Sequence, residues 1–120
     1  RRRGACYDSL MSLTDQKCVP CEGGMMPLTI QEANALMKEL NDWTLSPDAK
    51  QIEKEFTFKN FAEALAFANS IGAIAEEEQH HPELEIGWGK VEVELSTHSI
   101  GGLSQNDFIL AAKIGFKIVI

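Results

Sequence analysis

Residues 60–95 read NFAEALAFANSIGAIAEEEQHHPELEIGWGKVEVEL, and a change of periodicity within them decides the fold. Asn60 with Glu63 three residues on is a helix N-cap signature. Phe61, Ala64, Leu65, Ala68, Ile71, Gly72 and Ala75 then recur at i, i+3, i+4, i+7, the stripe of a helix with one buried face. Pro82 disfavours helical geometry at His81, so the helix ends around the histidine pair. Beyond it the period drops to two. Leu84, Ile86 and Trp88 alternate with polar or small residues, and so do Val91, Val93 and Leu95. With Gly89-Lys90 between them, the two runs predict a hairpin with one buried face.

Upstream, Thr29-Ile30-Gln31-Glu32 has the form of a capping box, followed by Ile30, Ala33, Leu36, Met37 and Leu40 at helical spacing. Trp43-Thr44-Leu45 makes a short strand, Ser46-Pro47-Asp48 turns the chain, and a longer strand runs through Ile52, Phe56 and Phe58. The aromatic residues Phe56, Phe58 and Phe61 read as core. Downstream, a loop through Gly101-Gly102 leads to Ser104 as N-cap with Asp107 at the third helical position, and a last helix carries Ile109 to about Lys117. The order α-β-β-α-β-β-α predicts an α+β fold, a four-stranded antiparallel sheet with three helices packed on one face. The other sheet face, bearing Glu92 and Glu94, stays wet or meets another subunit. Residues 1–26 form a polar N-terminal arm, and 27–120 the folded domain.

At 120 residues the chain holds one core. No apolar run approaches the roughly 20 residues a membrane helix requires. The formal net charge is -7, and all three arginines are Arg1, Arg2 and Arg3. From Pro27 onward seven lysines face fifteen acids, the wrong sign for direct nucleic-acid binding. Without arginine the domain also lacks the guanidinium fork that grips phosphates and carboxylates. An uncharged small molecule is the expected ligand. Cys6, Cys18 and Cys21 all lie in the arm, an odd count that argues for a reducing compartment, hence a cytoplasmic protein. Cys18-Val-Pro-Cys21 has CxxC spacing but runs into Glu22-Gly23-Gly24 instead of opening a helix, so an arm without metal or redox chemistry is the simpler reading.

The chain's three histidines, His80, His81 and His98, gather between Glu76 and Asp107. Histidine titrates near neutral pH, so the cluster suits proton transfer or metal binding. The unpaired carbonyls at a helix end favour positive charge on the adjacent pair, and Glu76, four residues before His80, is placed to orient an imidazole. Taken singly, each histidine is most simply a loop or surface residue. A metal site of Glu76, His80 and His98 uses acceptable ligand types, but adjacent rings rarely reach one ion and no HExxH is present. Metal-free acid–base catalysis explains the pair better. Asp107 reads first as a helix-start residue, and Trp88 as core or interface.

The string Glu76-x3-His80-His81-Pro82-x5-Trp88-x9-His98-x8-Asp107 closely resembles the signature of the pterin-4a-carbinolamine dehydratases. Ser96-Thr97-His98, Gly102-Leu103-Ser104, Trp43, Phe56-x-Phe58-x-x-Phe61-Ala62 and Ala75-Glu76 also match, over roughly residues 28–118. The Cys18-Val-Pro-Cys21-Glu22-Gly23-Gly24 stretch is similar to an arm in a subset of members. Leu84 departs from the pattern, which commonly has an aromatic after His-His-Pro-Glu. That bears on substrate packing beside the pair and not on the chemistry.

The resemblance implies dehydration of a 4a-hydroxy-tetrahydropterin to quinonoid dihydropterin and water, the recycling step that follows pterin-dependent aromatic amino acid hydroxylation, with no metal or other cofactor. It implies His80, His81 and His98 as catalytic residues, and Glu76, Ser96, Thr97 and Asp107 as substrate-binding, with Asp107 orienting His98 or capping the last helix. It further implies a homotetramer, a dimer of dimers. The alternative it leaves is a protein-binding module, the dimerisation cofactor of a transcription regulator, that keeps the fold.

Overall fold

The computed structural model describes residues 12–16, 18 and 26–118. Most of the expected arm, including Cys6 and Cys21, lies outside the described residues. The domain follows the expected order: α1 (Ile30–Met37), β1 (Thr44–Leu45), β2 (Ile52–Thr57), α2 (Phe61–Glu78), β3 (Glu83–Gly87), β4 (Lys90–Leu95) and α3 (Gln105–Ile118). The four strands form one antiparallel sheet in the order β1-β2-β4-β3.

Each helix begins where its sequence marks it. Thr29 Oγ1 accepts from the Glu32 N–H at 3.1 Å while Glu32 Oε1 accepts from the Thr29 N–H at 2.9 Å, a reciprocal cap for α1. Asn60 Oδ1 accepts from the Glu63 N–H at 2.9 Å to start α2. Six alanines in α2 favour the helix and let it lie close to its neighbours. It stops at Gln79, which takes the left-handed conformation (φ 56°, ψ 39°), and the His80 N–H returns to the Ala75 carbonyl at 3.2 Å.

The alternation in the strands sorts the sheet into two unlike faces. Ile52 pairs with Leu95, and Phe56 with Val91 and through it Ile86. These side chains point toward the helices, where Ile52, Phe56, Val91, Val93 and Leu95 join Ile71, Phe108, Leu110 and Ile114 in one core. Phe67 of α2 meets Phe56 and Phe58 at ring-centroid distances of 4.9 and 5.1 Å. The opposite face is acidic. Glu53, Glu94 and Glu83 lie side by side across three strands, and Glu55, Glu92 and Glu85 form a second row. Lys90 Nζ donates to Glu92 Oε2 at 3.0 Å and holds that carboxyl below its ordinary range.

Several apolar residues do not go where their periodicity sends them. Phe61 and Leu65 belong to the helical stripe but are 45% and 41% exposed, because α2 buries only the side defined by Ala64, Ala68, Ile71 and Ala75. Ile30 is also exposed. Trp88, read as core or interface, is 75% exposed at the hairpin tip, one residue before Gly89 (φ 74°), whose carbonyl accepts from the Phe58 N–H. Strand β2 ends one residue short of Phe58, and α3 starts earlier than its apolar pattern. Among the described residues no helix is long and apolar enough to cross a membrane.

The Asn60 cap is testable alone. Asn60→Ala is expected to cost about 1 kcal/mol in urea unfolding, and Asn60→Ser to retain most of that stability.

Candidate active site

Three chain segments meet at one carboxylate. The end of α2 delivers His80, the end of β4 runs into Ser96-Thr97-His98, and the start of α3 supplies Ser104 and Asp107. Asp107 is fully buried. Its Oδ1 lies 2.6 Å from His80 Nε2, and its Oδ2 accepts from Thr97 Oγ1 at 2.8 Å and from the Ser104 N–H at 3.0 Å. Thr97 Oγ1 also lies 2.8 Å from Ser104 Oγ. A buried carboxylate must be met by donors on both oxygens, and here each donor comes from a different place in the chain.

The arrangement fixes the His80 tautomer. A carboxylate is acceptor-only, so His80 Nε2 carries the hydrogen of the 2.6 Å contact and Nδ1 is the nitrogen left for chemistry. His81 is held differently. Its Nε2 lies 2.6 Å from Glu76 Oε2, and both side chains are largely exposed. Glu76 thus orients an imidazole, as its place one turn earlier in α2 suggests, but the ring is His81 and not His80. Both rings follow the left-handed Gln79 that ends α2, whose Nε2 donates to the Glu76 carbonyl at 2.7 Å.

His98 begins a short 3-10 turn, His98–Ile100, that Gly101 closes at φ 72°. The turn is tied at its base by Thr97 and Gly102, whose backbones exchange hydrogen bonds of 2.7 and 3.4 Å. His98 is exposed and directly follows the threonine that shares the Asp107 carboxylate with His80. Gly102 is required because a Cβ there would sit 2.8 Å from Pro27 Cβ. Ser96 is half-buried. Thr97 and Asp107, expected to bind substrate, spend their polar atoms on each other, on Ser104 and on His80. Asp107 caps α3 as expected and orients His80 where His98 was the expected partner.

Glu78 was not singled out by the sequence, where it ends an acidic run. It is nevertheless buried, with Oε2 at 2.8 Å from Lys113 Nζ and Oε1 accepting from the Cys18 N–H at 2.8 Å. The signal was available: Glu78 extends the buried spacing of Ile71, Ile74 and Ala75 by one more step. Cys18 Sγ lies 3.6 Å from the Asn106 carbonyl. Burial first, and then the Glu78 charge, push its thiol up to about 12, so it is a poor nucleophile.

Among the described residues no group of three or more His, Cys, Asp or Glu is arranged to hold a metal ion; His80 pairs with Asp107 and His81 with Glu76. Two concavities of about 480 and 450 Å³ lie on the acidic sheet face and between α3 and Trp43, and neither includes a histidine. His81 and His98 stand on open surface.

A family model described as pterin 4 alpha carbinolamine dehydratase matches residues 26–116. A relative from Rickettsia canadensis is 52% identical over 107 residues, covering 88% of this chain and 97% of its own. Another from Halorhodospira halophila is 48% identical over 104 residues, covering 87% and 95%. Both are provisionally named as pterin-4-alpha-carbinolamine dehydratases. A crystal structure of a transcriptional coactivator/pterin dehydratase from Brucella melitensis superposes with a TM-score of 0.71 at 32% identity, covering 75% of this chain and 96% of that one. A pterin dehydratase-like RuBisCO assembly factor of the alpha-carboxysome, 24% identical with a TM-score of 0.53 over 62% of this chain and 86% of its own, shares the fold.

Asp107→Ala leaves the donors of His80, Thr97 and Ser104 facing a void, and is expected to lower stability by about 3 kcal/mol in denaturant titration. Cys18 sets a pH dependence of known sign. Its folded pKa is raised, so its contribution is complete below the unfolded pKa near 9.0 and is lost as pH rises toward about 12. Thermal unfolding between pH 9 and 11 should therefore fall less steeply in Cys18→Ala than in the wild type.

Proposed function

Because the chain belongs to the pterin 4 alpha carbinolamine dehydratase family, we propose that it converts a 4a-hydroxy-tetrahydropterin to quinonoid dihydropterin and water. The observation that carries this reading is the buried Asp107–His80 pair beside the exposed Glu76–His81 pair, with His98 on the adjoining turn. The reaction breaks the bond between the bridgehead carbon and its hydroxyl. A proton goes to that oxygen, which leaves as water, and another is taken from the neighbouring ring nitrogen as the new C=N bond forms.

Two neutral-range groups suffice for this exchange, each contributing roughly 10²–10⁴-fold. His80, with Nε2 spent on Asp107, meets the substrate through Nδ1. His98 acts from the other side as the second acid–base group, and His81, steadied by Glu76, binds the ring and assists proton transfer. Ser96, half-buried two residues before His98, contributes to binding the pterin. Thr97 and Asp107 act through His80 and do not touch the pterin, which refines their place in the site. No step calls on a metal or a redox cofactor.

The same proposal places the enzyme after an aromatic amino acid hydroxylase and in a homotetramer. The exposed Phe61 and Leu65 on one side of α2 support subunit contact there, since large apolar side chains adjacent on a helix are commonly covered in an assembly. The protein-binding alternative draws on the Brucella relative, which is described as a transcriptional coactivator as well as a pterin dehydratase. The exposed His81 and His98 near the His80–Asp107 pair favour the enzyme, because the core makes no use of those two rings.

The test is the rate of quinonoid dihydropterin formation from the carbinolamine at neutral pH. His80→Ala and His98→Ala are each expected to lose at least about tenfold while keeping wild-type circular dichroism. Wild-type rates in both variants would overturn the reading.

A further inference from the structure

The end of α2 is joined to α3 by two rungs of buried polar contact. One is His80 to Asp107 at 2.6 Å; the other, two residues earlier, is Glu78 to Lys113 at 2.8 Å. The first belongs to the site. The second touches nothing that reacts, yet it buries a charge, which folding tolerates only when the charge is paired and hydrogen-bonded. Its second partner is the Cys18 N–H, from the N-terminal segment.

That segment is fastened along the back of α3. Leu13 sits in the core at 3% exposure, and the 3-10 turn Leu13–Asp15 packs on α3. The buried Gln16 accepts from Gln105 Nε2 through its Oε1 at 2.7 Å, and Cys18 Sγ approaches the Asn106 carbonyl. Gln105 and Asn106 immediately precede Asp107. The thiol lies close enough to both carboxylates, Glu78 and Asp107, for each to raise its pKa. The segment therefore touches the second rung at Glu78 and, at Gln105 and Asn106, the residues next to the first.

The geometry points to Glu78 as a positioning residue for His80: through it the segment bearing Leu13, Gln16 and Cys18 braces the helix end that carries the ring. The brace holds the chain two residues before His80. A ring that must offer Nδ1 at a fixed angle gains from it, since a misplacement of about 1 Å can cost as much as roughly 100-fold in rate. The role rests on the dehydratase reading for its effect on turnover, but not for its effect on the ring.

Three variants of the full chain test it, with two readouts. Glu78→Ala removes both contacts, Glu78→Gln keeps an acceptor for the Cys18 N–H without the charge, and Leu13→Ala loosens the segment far from the carboxylate. The first readout is kcat and KM for the carbinolamine; the second is the downfield NMR signal of the His80 Nε2 proton and its attached ¹⁵N. Expected are a fall in kcat of about tenfold in Glu78→Ala with KM changed less than about threefold, substantial recovery in Glu78→Gln, and a partial loss in Leu13→Ala. The His80 signal should shift or broaden in the same order.

If Glu78→Ala does not fold, the other two variants carry the comparison. A merely structural role would lower the melting temperature and leave kcat and the His80 signal of the folded protein unchanged, which would overturn the assignment. So would a fall in kcat with the signal unmoved. If the wild type does not turn over the carbinolamine, the preceding reading fails while the NMR signal still decides this one.

Discussion

The Asp107 carboxylate is the constraint on which the site's geometry depends. With no exposure to water, it has to collect donors from the protein, and it takes them from the end of α2, the end of β4 and its own helix start. None of the three segments can shift without leaving a buried oxygen unmet, at a cost of about 1–3 kcal/mol. The placement of His80 is in this sense a by-product of folding. The ring is where it is because the core needs its N–H.

That dependence also explains how two adjacent histidines come to differ. Just past the left-handed residue that ends α2, His80 is turned inward to a buried acceptor and His81 outward to an exposed one. Desolvation strengthens the inner contact, whereas water screens the outer one. One imidazole is therefore held rigidly in a single tautomer, while its neighbour can exchange partners with an incoming ligand. A ligand that arrives over the pair meets two rings of different character supplied by consecutive residues.

Local rules read most of the fold from the sequence. Caps at Thr29 and Asn60, the change of period at Pro82 and the Gly89 turn each act over a few residues, and each appears in the structure as read. The errors arise where a local rule meets a tertiary choice. Periodicity counts Phe61 and Leu65 with Ala64 and Ala68, but a helix lying on a sheet buries a narrower band, and small side chains win the contact. In the site, the resemblance left Asp107 to orient His98 or to cap the last helix. Its pairing with His80 spans 27 residues and depends on how α2 ends beside the start of α3. The buried role of Glu78 was hidden by its neighbours Glu76 and Glu77, whose exposure made the run look uniformly solvated.

The acidic rows on the open side of the sheet have a consequence for the molecule as a colloid. Six carboxylates in two lines across three strands repel one another, and like charges placed directly opposite weaken a sheet. The fold pays for this in stability at low ionic strength, and added electrolyte relieves it within a Debye length. In exchange, the broad face of the sheet favours hydration and disfavours close approach by any other acidic surface.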